Sequence, residues 1–163
     1  MLTIRKATIQ DLRAITDIYN QAVLHTTTTF DTAAKTVEEQ QVWYDKHGPK
    51  YPILVAQEDN DIIGWASMSA WSDRCAYADT AEGSIYVREG YQGKALGRKL
   101  SVAILKAGKE AGLHTAILRI AEGNAASLKL AKSLGFQDIG VMKEVGKKFG
   151  KLLDVYMMQI IFD

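Results

Sequence analysis

Between Tyr91 and Leu100 the chain reads YQGKALGRKL, two glycines and three basic residues at the entrance to what continues as an amphipathic helix. A glycine-containing turn that runs directly into a helix points several backbone N–H groups at one spot, where the helix dipole also favours an anion. Gly93 and Gly97 let a ligand approach the backbone, and Arg88, Lys94, Arg98 and Lys99 supply positive charge. A pyrophosphate would fit. The pattern is not a Walker A loop, because no Lys-Ser or Lys-Thr pair follows the second glycine, and it is not G-x-G-x-x-G. On these residues alone, a plain helix start and an anion site both fit.

The flanking segments supply the context. Upstream, AEGSIYVR (81–88) reads as a central strand. Downstream, Leu96, Leu100, Ala103, Ile104, Ala107 and Ala111 keep one apolar helical stripe, with Gly112 as its C-terminal cap. The helix leads back to HTAILRIA (114–121), the βαβ arrangement of parallel neighbours. In EGNAASLKLAKSLGF (122–136), Asn124 caps a short helix that Gly135 stops. Strand FQDIGVM, a Lys- and Gly-rich connection KEVGKKFGK and strand LLDVYMMQII follow.

Toward the N-terminus, Leu2–Lys6 alternates as a strand, and Thr8 with Asp11 has capping-box spacing. Leu12, Ile15, Ile18, Ala22 and Val23 then recur at helical spacing. HTTTTFDTAAK reads as a loop, and Thr36 with Glu39 caps a second helix that Gly48 and Pro49 end. YPILVAQ, the turn EDND and IIGWASMSA form an antiparallel hairpin, and the loop WSDRCAYADT leads into the central strand. The expected fold is α/β (α+β): a single domain over residues 1–163, with a mixed, mostly antiparallel sheet flanked by helices on both faces.

A chain of 163 residues with 47% apolar residues can bury one core without disulfides or metals. Its net charge of +1 provides no global field for nucleic acid or anionic lipid, so any anion site must be local. Cys75 is the only cysteine, and His25, His47 and His114 lack metal-ligand spacing, so no metal is expected. No run approaches the ~18 apolar residues of a membrane span, and MLTIRKATIQDLR turns polar before a signal-peptide core could form. A cytoplasmic protein is the expectation. The tryptophans Trp43, Trp65 and Trp71 read as packing residues.

The segments IRKATIQDLRAITDIYNQAV, YPILVA, AYADTAEGSIYV, YQGKALGRKL, NAASLKLAKSLGF and VGKKFGKLLDV, in this order, resemble the GCN5-related N-acetyltransferase (GNAT) superfamily, and within it the phosphinothricin and methionine sulfone acetyltransferases. The resemblance spans nearly the whole chain. It implies that Gln92, Gly93, Lys94, Ala95, Leu96, Gly97 and Arg98 hold the pyrophosphate of acetyl-CoA, and that the backbone of Ile85, Tyr86 and Val87 pairs with its pantetheine arm. Asn124 and Ser127 fall on further cofactor positions, although capping explains Asn124 equally well. Ala95 stands where the family usually has glycine. A methyl group disfavours positive φ, so Ala95 is expected to keep φ below zero in the first turn of the helix.

Acyl transfer to an amine needs the amine deprotonated, and such groups titrate near ~8 to ~10.4. The resemblance places the proposed base on Glu82, early in AEGSIYV, acting through water; an exposed strand carboxylate is the bland reading. A tyrosine that often protonates the departing thiolate is replaced by Ala131, and neither Tyr77 nor Tyr86 is assigned in its stead. Ser72, Asp73 and Arg74 occupy the family's substrate loop, with Gly83, Ser84 and Phe30 as further substrate contacts. Arg74 suits bidentate binding of a substrate carboxylate or phosphinate, and equally a surface salt bridge. Tyr19 and Asn20 could line the other wall. The family's arginine positions hold Ser72 and Ala78, so a different substrate set is expected. The resulting expectation is an acetyl-CoA-dependent N-acetyltransferase of a small amino-acid-like amine, working as a homodimer. A protein or peptide acetyltransferase, or a non-catalytic acetyl-CoA-binding module, are the alternatives.

Overall fold

A computed structural model describes residues 1–163. Its strands are β1 (Leu2–Lys6), β2 (Ile53–Glu58), β3 (Asp61–Ala70), β4 (Thr80–Val87), β5 (Thr115–Ala121), β6 (Gln137–Lys148) and β7 (Lys151–Ile161). The helices are α1 (Leu12–His25), α2 (Val37–Asp45), α3 (Leu96–Glu110) and α4 (Ala125–Ser133). The strands form one sheet in the order β1-β2-β3-β4-β5-β7-β6. Among neighbouring strands only β4 and β5 run parallel, and α3 makes the crossover between them.

Period-two alternation gives the sheet two different faces. One face packs Met68, Ala66, Ala81, Ala116 and Ile120 against Leu96, Leu100 and Ile104 of α3 in the larger core. The other packs Val55 and Trp65 against Ile15 and Ile18 of α1, with Trp43 of α2 at its edge. The apolar stripe of α1 is buried as its spacing predicts, Ile15 completely.

The capping box at Thr8 is present and extends further than its two residues. Asp11 accepts the Thr8 N–H at 2.8 Å and a bidentate pair from Arg5 of β1 at 2.8 and 2.9 Å. This carboxylate therefore ties the first strand to the start of α1 through a 3-10 turn, Ile9–Asp11. Helix α2 has the expected Thr36 cap, whose hydroxyl accepts the Glu39 N–H at 3.1 Å, but ends at Asp45, before Gly48 and Pro49 are reached.

The connection KEVGKKFGK is corrected by the structure. Residues up to Lys148 belong to β6, which pairs with β7 through Lys148↔Lys151, so the turn is only Phe149 and Gly150. Both turn residues have positive φ, +52° and +75°, as a two-residue hairpin loop requires. Lysine and glycine have little strand propensity, but here pairing with Leu152 and Leu153 overrides it. The register shift between Met142 and Gly146 is pinned by Asp154, which accepts the Glu144 N–H at 2.8 Å and the Lys143 ammonium at 3.2 Å. The extension reaches across to the loop after α1. Lys148, buried, donates to Thr29 O at 2.8 Å, and the Phe30 ring occupies the space where a side chain at Gly146 would stand.

The Arg5 guanidinium holds the Asp11 carboxyl below its ordinary range. A lowered carboxyl pKa contributes stability above the unfolded-state value and loses it as pH falls through the folded one. Asp11→Asn is accordingly expected to lower stability by about 1 kcal/mol at neutral pH, the pair being partly solvent-screened. In urea titrations the difference from wild type shrinks as pH falls below the ordinary carboxylate range and the wild-type carboxyl protonates.

Candidate active site

Strands β4 and β5 pair only over Thr80↔Thr115, Ala81↔Ala116 and Glu82↔Ile117. Beyond Glu82 they separate, and the edge of β4 that faces β5 has no strand partner. The separation opens a groove of about 940 Å³, walled by Gly83–Val87, by Leu118–Ala121 and by the N-termini of α3 and α4. Of the residues singled out in the sequence, the groove brings together Glu82, Gly83, Ser84, Ile85, Tyr86, Val87, Gln92, Gly93, Ala95, Leu96, Gly97, Arg98, Asn124, Ser127 and Phe30.

The turn into α3 departs from expectation at Ala95. It is the N-cap and adopts the left-handed conformation, φ +59° and ψ 13°, not a negative φ. The chain must turn sharply between β4 and α3, and Gly93 at φ +79° makes only part of the reversal. Ala95 makes the rest at a cost that glycine would not incur. The first N–H engaged at this helix end is that of Lys99, onto Ala95 O at 3.1 Å, which leaves those of Leu96, Gly97 and Arg98 free. Gln92 braces the turn by accepting the Gly90 N–H at 3.0 Å and donating to Val87 O at 3.3 Å.

The basic residues divide. Arg98 lines the groove and donates to Ser133 Oγ at 2.9 Å. Lys94 lies over the Tyr91 ring, outside the groove lining. Arg88 is turned back onto β3, where its Nε donates to Ile62 O at 3.0 Å, so its charge is not delivered to the loop as the sequence suggests. Asn124 caps α4, accepting the Ser127 N–H at 3.4 Å, and both residues also face the groove. The two readings of Asn124 are therefore compatible. Ala131 is buried in the larger core, and the tyrosines on the groove are Tyr19, Tyr86 and Tyr91.

Glu82 stands at the fork where the strands part, 23% exposed, and both its oxygens are held by Arg119 of β5 through Nε at 2.6 Å and Nη2 at 2.5 Å. The Arg119 guanidinium lies 5.3 Å from the centre of the Trp71 ring. Directly across from Glu82 in the β3–β4 register is Ser69. Ser69 Oγ is 2.8 Å from His47 Nε2, and His47 Nδ1 is 2.7 Å from Trp43 O. A carbonyl only accepts, so Nδ1 carries the proton and the Ser69 hydroxyl donates to Nε2 of a neutral ring. Burial lowers the His47 pKa, in keeping with that neutral form. Arg119, Ser69 and His47 were not anticipated. An arginine within the otherwise apolar HTAILRIA was the available signal for the first; the others meet only through tertiary packing.

On the same face of the sheet as Glu82 lies a second cavity of about 370 Å³, beneath α2 and the loop after α1, which shares Tyr19, Ser84 and Tyr86 with the groove. Burial pushes the Tyr86 phenol up to about 12 and raises that of Tyr19, so both stay protonated at neutral pH. Tyr19 donates to Asp31, and Asn20 is bonded to the backbone of Lys35, so one lines this wall and the other shapes its loop. Ser72, Asp73 and Arg74 lie on the 71–79 loop, outside both cavities. The loop is anchored at its base: the Tyr51 hydroxyl donates to Ala78 O at 2.7 Å, and Lys50 pairs with Asp79. Arg74 itself is exposed and has no carboxylate partner, so the salt-bridge reading is not realised within this chain.

An open strand edge beside a helix N-terminus with free N–H groups is the binding architecture of acetyl-CoA-dependent acetyltransferases, and the residues present fit such a cofactor. Residues 4–157 match the acetyltransferase (GNAT) domain, and the chain belongs to that family. More particularly, it is 39% identical to the L-methionine sulfoximine/L-methionine sulfone acetyltransferase of Salmonella typhimurium, over 99% of this chain and 95% of that protein. It is 38% identical to a phosphinothricin N-acetyltransferase of Streptomyces coelicolor, over 93% and 91%. The structure of an acetyltransferase from Salmonella typhimurium with acetyl-CoA superposes with a TM-score of 0.96 at 38% identity, covering 100% of this chain and 95% of that one.

Ala95→Gly relieves the left-handed alanine and is expected to stabilise the protein by about 1 kcal/mol, seen as a higher urea midpoint with acetyl-CoA affinity retained or improved. A lower midpoint would contradict the conformation assigned to the loop.

Proposed function

We propose that this chain is an N-acetyltransferase that transfers the acetyl group of acetyl-CoA to the amine of a small amino-acid-like substrate by direct attack in a ternary complex. The observation that carries this reading is the position of Glu82, at the fork between the donor groove and the cavity on the opposite side of β4. When bound, acetyl-CoA supplies the activated acyl group; the chain's own residues align it and prepare the amine. The free N–H groups of Leu96, Gly97 and Arg98 take the pyrophosphate, and the unpaired edge of Ile85–Val87 takes the pantetheine arm as an added strand.

Glu82 is oriented by Arg119, and each of its oxygens keeps a further lone pair for a water that relays the ammonium proton. No tyrosine replaces Ala131 as proton donor in this reading, and a thiol of pKa ~8.5 can leave as thiolate or take its proton from water. Arg74, exposed and unpaired, is available to a substrate carboxylate, and Phe30 lines the groove. The named activities of the relatives favour a small amine over a protein chain or a non-catalytic module. We place the activity in the cytoplasm, where acetyl-CoA is available.

The partner we assign is a second copy of the chain. Strand β6 is a sheet edge, and Ile139, Val141, Val145, Phe149 and Leu152 of the β6–β7 hairpin are exposed together. An apolar edge of this length is a surface that soluble proteins normally cover. Val141→Asp with Leu152→Asp should convert a dimer to a monomer in sedimentation equilibrium; a monomeric wild type would remove the assignment.

Glu82→Gln keeps the shape of the side chain and removes the base. At pH 7 we expect kcat to fall about 100-fold with the acetyl-CoA Kd unchanged, and the deficit to narrow as pH rises toward the amine pKa. Wild-type turnover by Glu82→Gln would take Glu82 out of the role.

A further inference from the structure

Two cations line the groove: Arg98 at the N-terminus of α3, and Arg119 at the fork. Arg119 lies two residues beyond Ile117, where the pairing of β5 with β4 ends, and its backbone is held from the other side opposite Met157 of β7. Side chains alternate along a strand, so Arg119 shares the face of Ile117, which is itself the partner of Glu82. Trp71 reaches that face from the opposite flank. Ser69 stands across from Glu82, and Trp71 follows two residues later, its N–H bonded to Thr80 O at 3.2 Å so that the β3–β4 ladder continues past Ala70. Three neighbouring strands thus deliver Trp71, Glu82 and Arg119 to one face of the sheet where β4 and β5 part.

The Glu82–Arg119 pair is open to water, since the Arg119 side chain is 50% exposed. Such a pair loses most of its worth to screening and to the entropy of holding a long side chain still. Trp71 offsets both losses. Its ring covers the guanidinium, 5.3 Å from the ring centre, and an indole face is the strongest aromatic partner for a cation. A guanidinium held against the ring keeps its planar N–H fork in one orientation, here the one from which Nε and Nη2 meet the two Glu82 oxygens. Trp71 is also the first residue of the 71–79 loop. The far end of that loop is tied to the start of β5, where Asp79 O accepts the His114 N–H at 2.9 Å, while Asp73–Asp79 are exposed.

We propose that Trp71 is a positioning residue for the transfer: it fixes the Arg119 guanidinium, which in turn aims Glu82, so that the loop sets the orientation of the base through its first residue. The inference rests on the reading of Glu82 as the base and extends it to a residue that does not touch that carboxylate.

The test follows kcat with acetyl-CoA and L-methionine sulfone, beside the acetyl-CoA Kd and the Tm. Trp71→Leu and Arg119→Ala are each expected to lower kcat about tenfold, the range of a lost cation–π contact or a misaimed carboxylate, with Kd and Tm nearly unchanged. Trp71→Phe should keep about half of the wild-type rate, since a smaller aromatic face remains. Arg119→Lys should stay slow, because an ammonium cannot clamp both oxygens, whereas methylguanidinium added to Arg119→Ala should restore turnover. The Trp71→Leu/Arg119→Ala double variant should match Arg119→Ala within about twofold, and in a Glu82→Gln background neither substitution should cost more than about twofold. Additive losses in the double variant, or full losses in the Glu82→Gln background, would overturn the inference and leave Glu82 as the base. Wild-type turnover by Glu82→Gln would overturn the base reading and this inference with it. No acetyl transfer from wild type to L-methionine sulfone or phosphinothricin would overturn the acetyltransferase reading as well.

Discussion

The pairing of β4 with β5 stops after three residues, and the rest of the site depends on that stop. A parallel pair continued to the strand ends would bury the backbone of Ile85–Val87 in the sheet and close the groove. The divergence is held at its apex by the Glu82–Arg119 pair, which bridges the two strands where their hydrogen bonds end. One carboxylate therefore sits at the geometric junction of the fold and, in the reading above, at the chemical one. Arg119 keeps it aimed while leaving lone pairs for water.

Strand alternation separates what the two sides of β4 do. Glu82, Ser84 and Tyr86 oppose Ser69, Ser67 and Trp65 of β3 on the face covered by α1 and α2, which makes that face polar in its centre. Gly83, Ile85 and Val87 belong to the face of α3, where Gly83 lets Leu118 and Met68 pack against the strand. The groove side is thus largely apolar with free backbone groups, and the other side carries hydroxyl, carboxamide and indole groups.

Much of this was legible in the sequence. The stripe of α1, the hairpin β2–β3, the crossover into β5 and the caps at Thr36, Asn124 and Gly112 are local signals that survive packing. What failed depended on tertiary context. Lysines and glycines at 143–148 look like a connection until Asp154 and β7 give their backbone a partner. Ala95 looks like an ordinary first-turn residue until the tight reversal forces it to positive φ. Trp65 and Ser67 of β3, whose indole N–H and hydroxyl have no hydrogen-bond partner, line one cavity with Gln40 of α2, although nothing in their spacing connects the three. Arg119 was visible as a charge in an apolar strand, but its partner was not.

The central claim, that the unpaired β4 edge and the α3 N-terminus together hold acetyl-CoA, is tested most directly by amide hydrogen exchange with and without the ligand. The account predicts that acetyl-CoA slows exchange at Ile85–Val87 and at Leu96–Arg98, with little change along β1, β2 or β6. Protection absent from both segments, or confined to other parts of the sheet, would contradict it.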